Sequence, residues 1–488
     1  MTPTIIIITI ISYFAILFTI SYVAGHKADN SGFFIGNRKS PWYIVAFAMI
    51  GSTISGVTFV SVPGMVKTGS FAYLQMVLGF IVGQFIIAYI LIPLFYRLKL
   101  ISIYQYLQDR FGITSYRTGA WFFFISKMLG AAVRLFLVCL ALQLLVFDPL
   151  HIHFIINILI TVAIVWIYTI QGGVKSLIWT DLLKSFCLIF SVILCIVFIA
   201  RQLHFSAGDT WQSITDNPMS KIFFFEDYND KRYFFKQFLA GIFTMIAMTG
   251  LDQDMMQRNL SCRNAGDSKK NMIVSAICQF FIILLFLMLG TLLYTFTSQE
   301  HITLPEKSDE LFPLIATGGY LPIIVGILFV IGLVSSAFSA AGSALTALTT
   351  SFTMDILNAG EKTPEQITRI RKVVHTGMAV LMGVVIYVFE LLNNTSVIDA
   401  VYILASYTYG PILGLFAFGI FTKWNVRDRY IPFVAILAPI LCFVLDKNSQ
   451  VWLNGYVFSY ELLIINALLT FVGLMLLIKG NKQTILKQ

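Results

Sequence analysis

Long runs of apolar residues recur from one end of the 488-residue sequence to the other. A helix that crosses a bilayer needs about 20 consecutive apolar residues, and the sequence contains about thirteen such runs. Only 12% of the residues are charged, whereas a soluble domain carries about 25%. We therefore predict an all-α integral membrane protein that is not an enzyme. The predicted spans are 3–24, 42–66, 70–96, 118–146, 152–170, 176–200, 233–253, 271–297, 319–354, 373–389, 397–421, 430–446 and 455–478.

Lysine and arginine residues concentrate in alternate loops of this arrangement. The loop after the seventh span contains Arg258, Arg263, Lys269 and Lys270, whereas the loop after the eighth contains only Lys307. Cytoplasmic loops carry such an excess of positive charge. The alternation therefore predicts an external N-terminus and a cytoplasmic C-terminus, in a multi-pass protein of the cell membrane. It also accounts for the net charge of +9 without a nucleic-acid partner.

Other sequence signals narrow the chemistry further. Segment 1–24 lacks the basic leader and small-residue cleavage site of a signal peptide, and we predict a retained peripheral helix. The six cysteines are scattered without metal-ligand spacing. The sequence contains no glycine-rich loop that would bind phosphate, which excludes nucleotide hydrolysis as an energy source.

A cluster of small and polar residues interrupts the second span at Gly51-Ser52-Thr53-Ile54-Ser55-Gly56. Each glycine costs a helix interior about 1 kcal/mol relative to alanine, so the cluster favours local unwinding. Unwound backbone is tolerated at membrane depth where its carbonyls line a cavity or coordinate an ion. Close packing of helices through small residues is the alternative explanation.

The ninth span contains a comparable cluster, with Gly332, Ser335, Ser336 and Ser339. Two adjacent hydroxyls near a glycine are oxygen donors of the kind that hard cations prefer. The same hydroxyls can instead bond to carbonyls of their own helix and serve packing alone. The residues themselves leave both interpretations open.

Charged residues inside the spans are functional candidates, because a charge in the bilayer is costly. Arg134 in the fourth span suits a carboxylate, which a guanidinium binds through two hydrogen bonds. That carboxylate belongs either to an anionic solute or to a side chain such as Asp252 or Asp254. We interpret Asp252 and Asp254 themselves as solvated charges at a helix end near the cytoplasmic face.

Six motifs, in order, resemble those of the sodium:solute symporter family. They are Phe34–Arg38 (FIGNR), Tyr104–Gly112 (YQYLQDRFG), Tyr168–Gly173 (YTIQGG), Trp179–Asp181, Gln257-Arg258 and Val334–Ser336. The resemblance implies the leucine-transporter-like fold, a core of two five-helix repeats of opposite topology with discontinuous helices. The repeats would be 42–200 and 233–421, with peripheral helices at 1–24 and 430–478.

The resemblance also implies a sodium site between the second and ninth spans. Its ligands would be the carbonyls of Gly51, Ile54 and Gly332 and the hydroxyls of Ser335 and Ser336. These residues belong to the two clusters already identified from the sequence. The coincidence favours Na+ coordination over simple packing.

Asp181 matches a family aspartate on the sodium exit path, which in some relatives helps to form a second sodium site. Ser335 and Ser339 match hydroxyl ligands of that second site, but Phe338 stands where those relatives have a hydroxyl. We therefore expect a single coupled sodium ion. An ion pair with Lys184, one turn away, is the alternative role of Asp181.

We predict a sodium-coupled symporter that imports a small polar or anionic organic solute, of the sugar, sialic acid or carboxylate type, by alternating access. We expect it to work as a monomer within the lipid bilayer. The alternatives are a proton-coupled carrier that uses Asp181 and a transporter-like sensor without transport. The residues expected to line the solute cavity are Thr53, Ser55, Thr58, Tyr73, Gln75 and Arg134.

Overall fold

The computed structural model describes residues 3–25, 40–100, 102–357, 359, 362–392 and 397–479. Of residues 3, 20–25, 144, 145, 171–183 and 397–400 it describes the backbone. The described residues are almost entirely helical, and their extended pairings are the isolated bridges Ser40–Cys262 and Val426–Ile478.

The helices follow one another in the order that the apolar runs predict. They are α1 Pro3–Gly25, α2 Trp42–Thr53, α3 Gly56–Gly64, α4 Val66–Gly69, α5 Tyr73–Ile86, α6 Ile92–Arg97, α7 Gln105–Arg110, α8 Ile113–Leu142, α9 Phe154–Gln202, α10 Ala207–Thr215, α11 Phe234–Met245, α12 Gln253–Leu260, α13 Ala265–Gln299, α14 Leu311–Thr317, α15 Ile323–Ser351, α16 Pro364–Leu392, α17 Val397–Phe421, α18 Ile431–Trp452 and α19 Leu462–Met475. π-Helical turns follow four of them, at Ile87–Leu91, Gln143–Phe147, Ile246–Gly250 and Phe352–Ile356.

These helices account for all thirteen predicted spans within the described part of the chain. Eight stretches are long and apolar enough to cross a membrane, two more spans are bent helix pairs, and three apolar helices are shorter. Each corresponds to one predicted run. The apolar runs therefore predicted the order of the apolar helices, of which eight, or ten with the bent pairs, are long enough to cross a membrane.

The predicted fifth and sixth spans both lie within the long helix α9. Tyr168 donates a hydrogen bond to the carbonyl of Phe338 in α15, and Leu188 packs against Gly332 of the same helix. On a straight helix Tyr168 and Leu188 would be about 30 Å apart, whereas their partners on α15 are about 9 Å apart. The helix is therefore bent between Tyr168 and Leu188, so that both of its apolar halves contact α15.

The second span is broken between α2 and α3, as the sequence predicts. The two helices meet at an angle of 55°, and the backbone of Ile54 and Ser55 between them is extended. The hydroxyl of Ser55 accepts a hydrogen bond from the N–H of Thr58 at 3.4 Å and so caps α3. The residue that ends the break also starts the next helix.

A second break, between α11 and α12, was not predicted. The two segments meet at 67°, and Asp252 caps α12 by accepting a hydrogen bond from the N–H of Met255 at 3.2 Å. Asp252 and Asp254 are only 2% and 5% exposed. The sequence-based interpretation of these residues as a solvated helix end is therefore wrong, because the helix turns at Asp252 and continues inside the protein to Leu260.

Helices α5 and α11 pack with their backbones in contact. A β-carbon at Gly79 would collide with the carbonyl oxygen of Phe238, and one at Gly241 would collide with that of Met76. Small residues allow membrane helices to approach this closely. The contact joins the helix that follows the first break to the helix that precedes the second.

Candidate functional site

A cavity lies between the two broken spans. Five of the six residues predicted to bind solute line it, namely Thr53, Ser55, Thr58, Tyr73 and Arg134. The other lining residues are Ser52, Val57, Phe80, Thr244, Met245, Met248, Thr249, Met255, Gln279, Ile283, Val401 and Tyr402. Hydroxyl and amide groups are thus interspersed with methionine and aromatic side chains, which suits a solute with several hydroxyl groups.

Gln75, the sixth predicted residue, does not line this cavity. Its side chain is fully buried, donates a hydrogen bond to the carbonyl of Arg232 at 2.8 Å and accepts one from the N–H of Phe224 at 3.3 Å. Both partners belong to the connection that leads into α11. Gln75 points away from the cavity because its amide satisfies backbone groups of that connection.

Arg134 is the cationic side chain of the cavity. It is half-buried and makes no ion pair with any residue that the structure describes. Asp252 and Asp254, the internal partners considered for it, are bound by Lys127 instead. The alternative in which Arg134 pairs with these aspartates is therefore wrong, and its guanidinium faces the cavity.

Two tyrosines that line the cavity are hydrogen-bonded to each other. The hydroxyl of Tyr73 in α5 forms a hydrogen bond of 2.8 Å with that of Tyr402 in α17. The ring of Tyr402 packs against that of Tyr460, with centroids 4.7 Å apart.

A buried cluster of charges is centred on Lys127. The ammonium of Lys127 in α8 is 3.1 Å from both carboxylate oxygens of Asp252 and 2.7 Å from Oδ2 of Asp254. The hydroxyl of Tyr409 in α17 donates to Oδ2 of Asp252 at 2.6 Å. These contacts join α8, α12 and α17, and Lys127 is only 4% exposed. A buried carboxylate pair of this kind needs its cation, since removing one partner leaves an uncompensated charge.

Two further side chains extend the cluster to α15. Nε of Arg258 lies 3.6 Å from Oδ1 of Asp254, and the hydroxyl of Ser343 bonds to both residues. Sequence reasoning missed this network. Its signal was the presence of Lys127 and two aspartates in apolar spans, where each charge requires a partner.

A second cavity adjoins the first on the side of this cluster. It shares Arg134, Met248, Met255 and Val401 with the first cavity. Its other lining residues are Ser126, Lys127, Gly130, Asp252, Leu404, Ala405 and Tyr409. Arg134 therefore stands between the two spaces.

The start of α3 packs against α15 at Ser336, one of the predicted sodium ligands. A β-carbon built on Gly56 would lie 3.5 Å from the hydroxyl of Ser336. That hydroxyl is fully buried and has no hydrogen-bond partner among the described residues. The adjacent hydroxyl of Ser335 donates to the carbonyl of Gly332 at 3.0 Å.

The backbone of the break supplies further oxygen atoms. The last N–H that bonds back into α2 is that of Ile54, to the carbonyl of Ile50 at 2.9 Å. The carbonyls of Gly51 and Ile54 lie beyond that bond, where a helix end leaves its acceptors without intrahelical donors. Carbonyl and hydroxyl oxygens of this kind are what a hard monovalent cation requires.

The residues proposed for a second sodium site have a different setting. Ser339 is buried in α15, one turn beyond Ser335. The ring of Phe338 packs edge-on against that of Phe14 in α1, with centroids 4.7 Å apart. The side chain of Asp181 lies outside the described residues, as does the motif at 34–38.

The chain matches known transporters along most of its length. The model of the sodium:solute symporter family matches residues 33–427. The sodium/sialic acid symporter NanT of Aliivibrio fischeri is 27% identical over 453 residues, covering 86% of this chain and 83% of that protein. The sodium/sialic acid symporter SiaT of Proteus mirabilis is 24% identical over 476 residues, covering 91% and 90%.

A solved structure gives the same result for the fold. A Na+-coupled sialic acid symporter in a substrate-bound, outward-open state superposes with a TM-score of 0.82 at 20% identity, covering 98% of this chain and 99% of that chain. The predicted transporter fold, sodium as the coupling ion and solute symport are confirmed by these matches. This chain belongs to the sodium:solute symporter family.

Proposed function

We propose that the protein imports sialic acid, or a closely similar sugar acid, together with sodium. The observation that carries this proposal is Arg134, a cavity guanidinium that makes no ion pair with any carboxylate whose position the structure describes. A guanidinium holds a carboxylate through two parallel hydrogen bonds. A solute carboxylate at Arg134 would supply the missing partner.

The rest of the cavity suits the remainder of such a solute. Thr53, Thr58, Thr244, Thr249 and Gln279 present hydroxyl and amide groups that match a polyhydroxylated ring with an acetamido group. Met245 and Met248 stand on the side of α11, where thioethers can pack against an apolar face of the sugar. Two sialic acid symporters among the relatives support the same solute class.

Sodium would bind at the first helix break in this proposal. The carbonyls of Gly51, Ile54 and Gly332 and the hydroxyls of Ser335 and Ser336 would be its ligands. The buried hydroxyl of Ser336, which lacks a hydrogen-bond partner within the described ranges, is the main support. An ion there would satisfy a polar atom that otherwise costs about 1–3 kcal/mol.

We propose one coupled sodium ion per cycle, since Phe338 packs against Phe14 and provides no hydroxyl.

We also propose a monomer with an external N-terminus and a cytoplasmic C-terminus, and repeats at 42–200 and 233–421. Single cysteines placed at 1–2 and at 482–488 in a variant without the six native cysteines would test the orientation. In intact cells, a membrane-impermeant maleimide should label the cysteine at 1–2 and leave the cysteine at 482–488 unlabelled. Labelling of the C-terminal cysteine would contradict the proposed orientation.

Uptake into proteoliposomes tests the function. An inward sodium gradient should drive accumulation of radiolabelled N-acetylneuraminate, and replacing sodium by potassium should abolish it. Arg134→Gln should weaken binding and Arg134→Lys should recover part of it, because a point charge replaces the two-pronged contact. Uptake that is independent of sodium but driven by a proton gradient would contradict the proposal and support the proton-coupled alternative.

A further inference from the structure

Arg134 and Lys127 lie on the same face of α8. They are seven residues apart, which corresponds to two helical turns and about 10 Å. Both line the second cavity, which Arg134 shares with the first. Two cationic side chains therefore follow one another along a continuous line of cavities.

The space between the two cations is open. Gly130 lies one turn from each of them and lines the second cavity, and a β-carbon at this position would meet no atom within 4 Å. Leu404 and Ala405 of α17 form part of the opposite wall. The absence of a side chain at Gly130 leaves a passage from Arg134 to Lys127.

We propose that Lys127 is a second binding position for the solute carboxylate, which passes from Arg134 to Lys127 during release. This inference rests on the proposed function, since it requires an anionic solute. It goes further by assigning a carboxylate site to a residue outside the main cavity.

The ion pairs of Lys127 explain how that position becomes available. Both carboxylates that bind its ammonium lie at the start of the short helix α12, since Asp252 is its N-cap and Asp254 lies in its first turn. A movement of α12 away from α8 removes both at once. The ammonium, which is only 4% exposed, would then remain without a counter-ion unless another anion took their place.

The solute carboxylate is that anion. Opening the cluster without solute leaves a buried charge uncompensated, which is strongly unfavourable. Opening it with solute exchanges one carboxylate partner for another. The solute therefore favours the open state by its differential affinity, which couples release to the presence of cargo.

The first experiment compares two variants that lack the same ion pairs. Asp252→Asn with Asp254→Asn keeps the ammonium, and the triple variant that adds Lys127→Gln removes it. In sodium, both should bind N-acetylneuraminate at Arg134 within about threefold of the wild type. The double variant should retain at least tenfold more uptake in proteoliposomes than the triple variant. Equal uptake would overturn the inference, because Lys127 would then serve only to pair with the aspartates.

A second pair of variants leaves every charge in place. Gly130→Phe should fill the passage, keeping binding of N-acetylneuraminate within threefold while reducing uptake at least tenfold. Gly377→Phe is the matched control, since a β-carbon there also meets no atom within 4 Å but the residue is exposed on α16. Uptake by Gly130→Phe equal to that of the control would show that the solute takes another route, and would decide the matter if the charge variants fail to fold.

Wild-type binding separates this inference from the proposed function. If the wild type does not bind N-acetylneuraminate in sodium, the solute class is wrong and both proposals fall. If the wild type binds it, Arg134→Gln weakens that binding and the two members of each variant pair behave alike, only the role of Lys127 falls.

Discussion

Replacing Ser336 by alanine should separate sodium binding from stability. Its hydroxyl is fully buried and has no hydrogen-bond partner in the part of the chain that the structure describes. Without sodium, Ser336→Ala should be at least as stable as the wild type, because the substitution removes an unsatisfied polar atom. With sodium, it should lose a ligand contact to a charge, which is worth about 1.5–3 kcal/mol. That loss corresponds to a sodium affinity about 10- to 150-fold weaker.

The thermal stability of the detergent-solubilised protein measures both effects. At a sodium concentration of about 100 times its Kd, the ion stabilises the wild type by about 2.7 kcal/mol. If the variant binds 100-fold more weakly, the same concentration contributes only about 0.4 kcal/mol. The sodium-dependent rise in Tm should therefore almost disappear.

Ser268→Ala provides the matched control. Ser268 in α13 is also fully buried, and its hydroxyl likewise lacks a partner among residues with described positions. This variant should keep the full sodium-dependent rise in Tm. If Ser336→Ala also kept it, the sodium site would have to be sought elsewhere in the fold.

Four other substitutions test the cavity and the packing around it. Arg134→Gln should weaken binding of N-acetylneuraminate about 10- to 150-fold in calorimetry, since a contact between charged groups is lost; unchanged affinity would remove Arg134 from the site. Lys127→Gln should cost about 3–5 kcal/mol of stability by leaving the buried carboxylate of Asp252 without a cation, seen as a lower Tm. Gly79→Ala should destabilise the protein by about 1–3 kcal/mol by overpacking α5 against a backbone carbonyl of α11. A variant Tm equal to that of the wild type would show that the two helices can move apart at no cost in stability. Gln75→Ala should lower Tm but leave the KM for uptake within about twofold of the wild-type value. A large rise in KM would show that Gln75 contacts the solute.

The first helix break was predictable because its cause is local. Two glycines and three hydroxyl residues within six positions weaken the helix wherever the segment lies. The second break has a weaker local signal, a single Gly250 two residues before Asp252. A lone glycine is tolerated in an apolar helix, and only the cap formed by Asp252 marks where α12 begins.

The choice of ionic partners could not be predicted from the sequence. Lys127 and Arg134 lie on the same face of α8, and either could reach a carboxylate on a neighbouring helix. The position of the start of α12 along α8 determines which of the two cations meets the aspartates. That position depends on the second helix break, which was not predicted. Gln75 was misplaced for a similar reason, because its partners belong to a connection about 150 residues further along the chain.

The contrast between Lys127 and Arg134 has a consequence for how this transporter can change its cargo. Lys127, Asp252 and Tyr409 share hydrogen bonds, so substitutions among them should be strongly non-additive. A substitution at one of these three residues would therefore require a compensating substitution at another. Arg134 forms no ion pair with the described residues and can be exchanged alone. Laboratory evolution toward a neutral or cationic solute should therefore begin at Arg134, with the buried cluster left intact until later rounds.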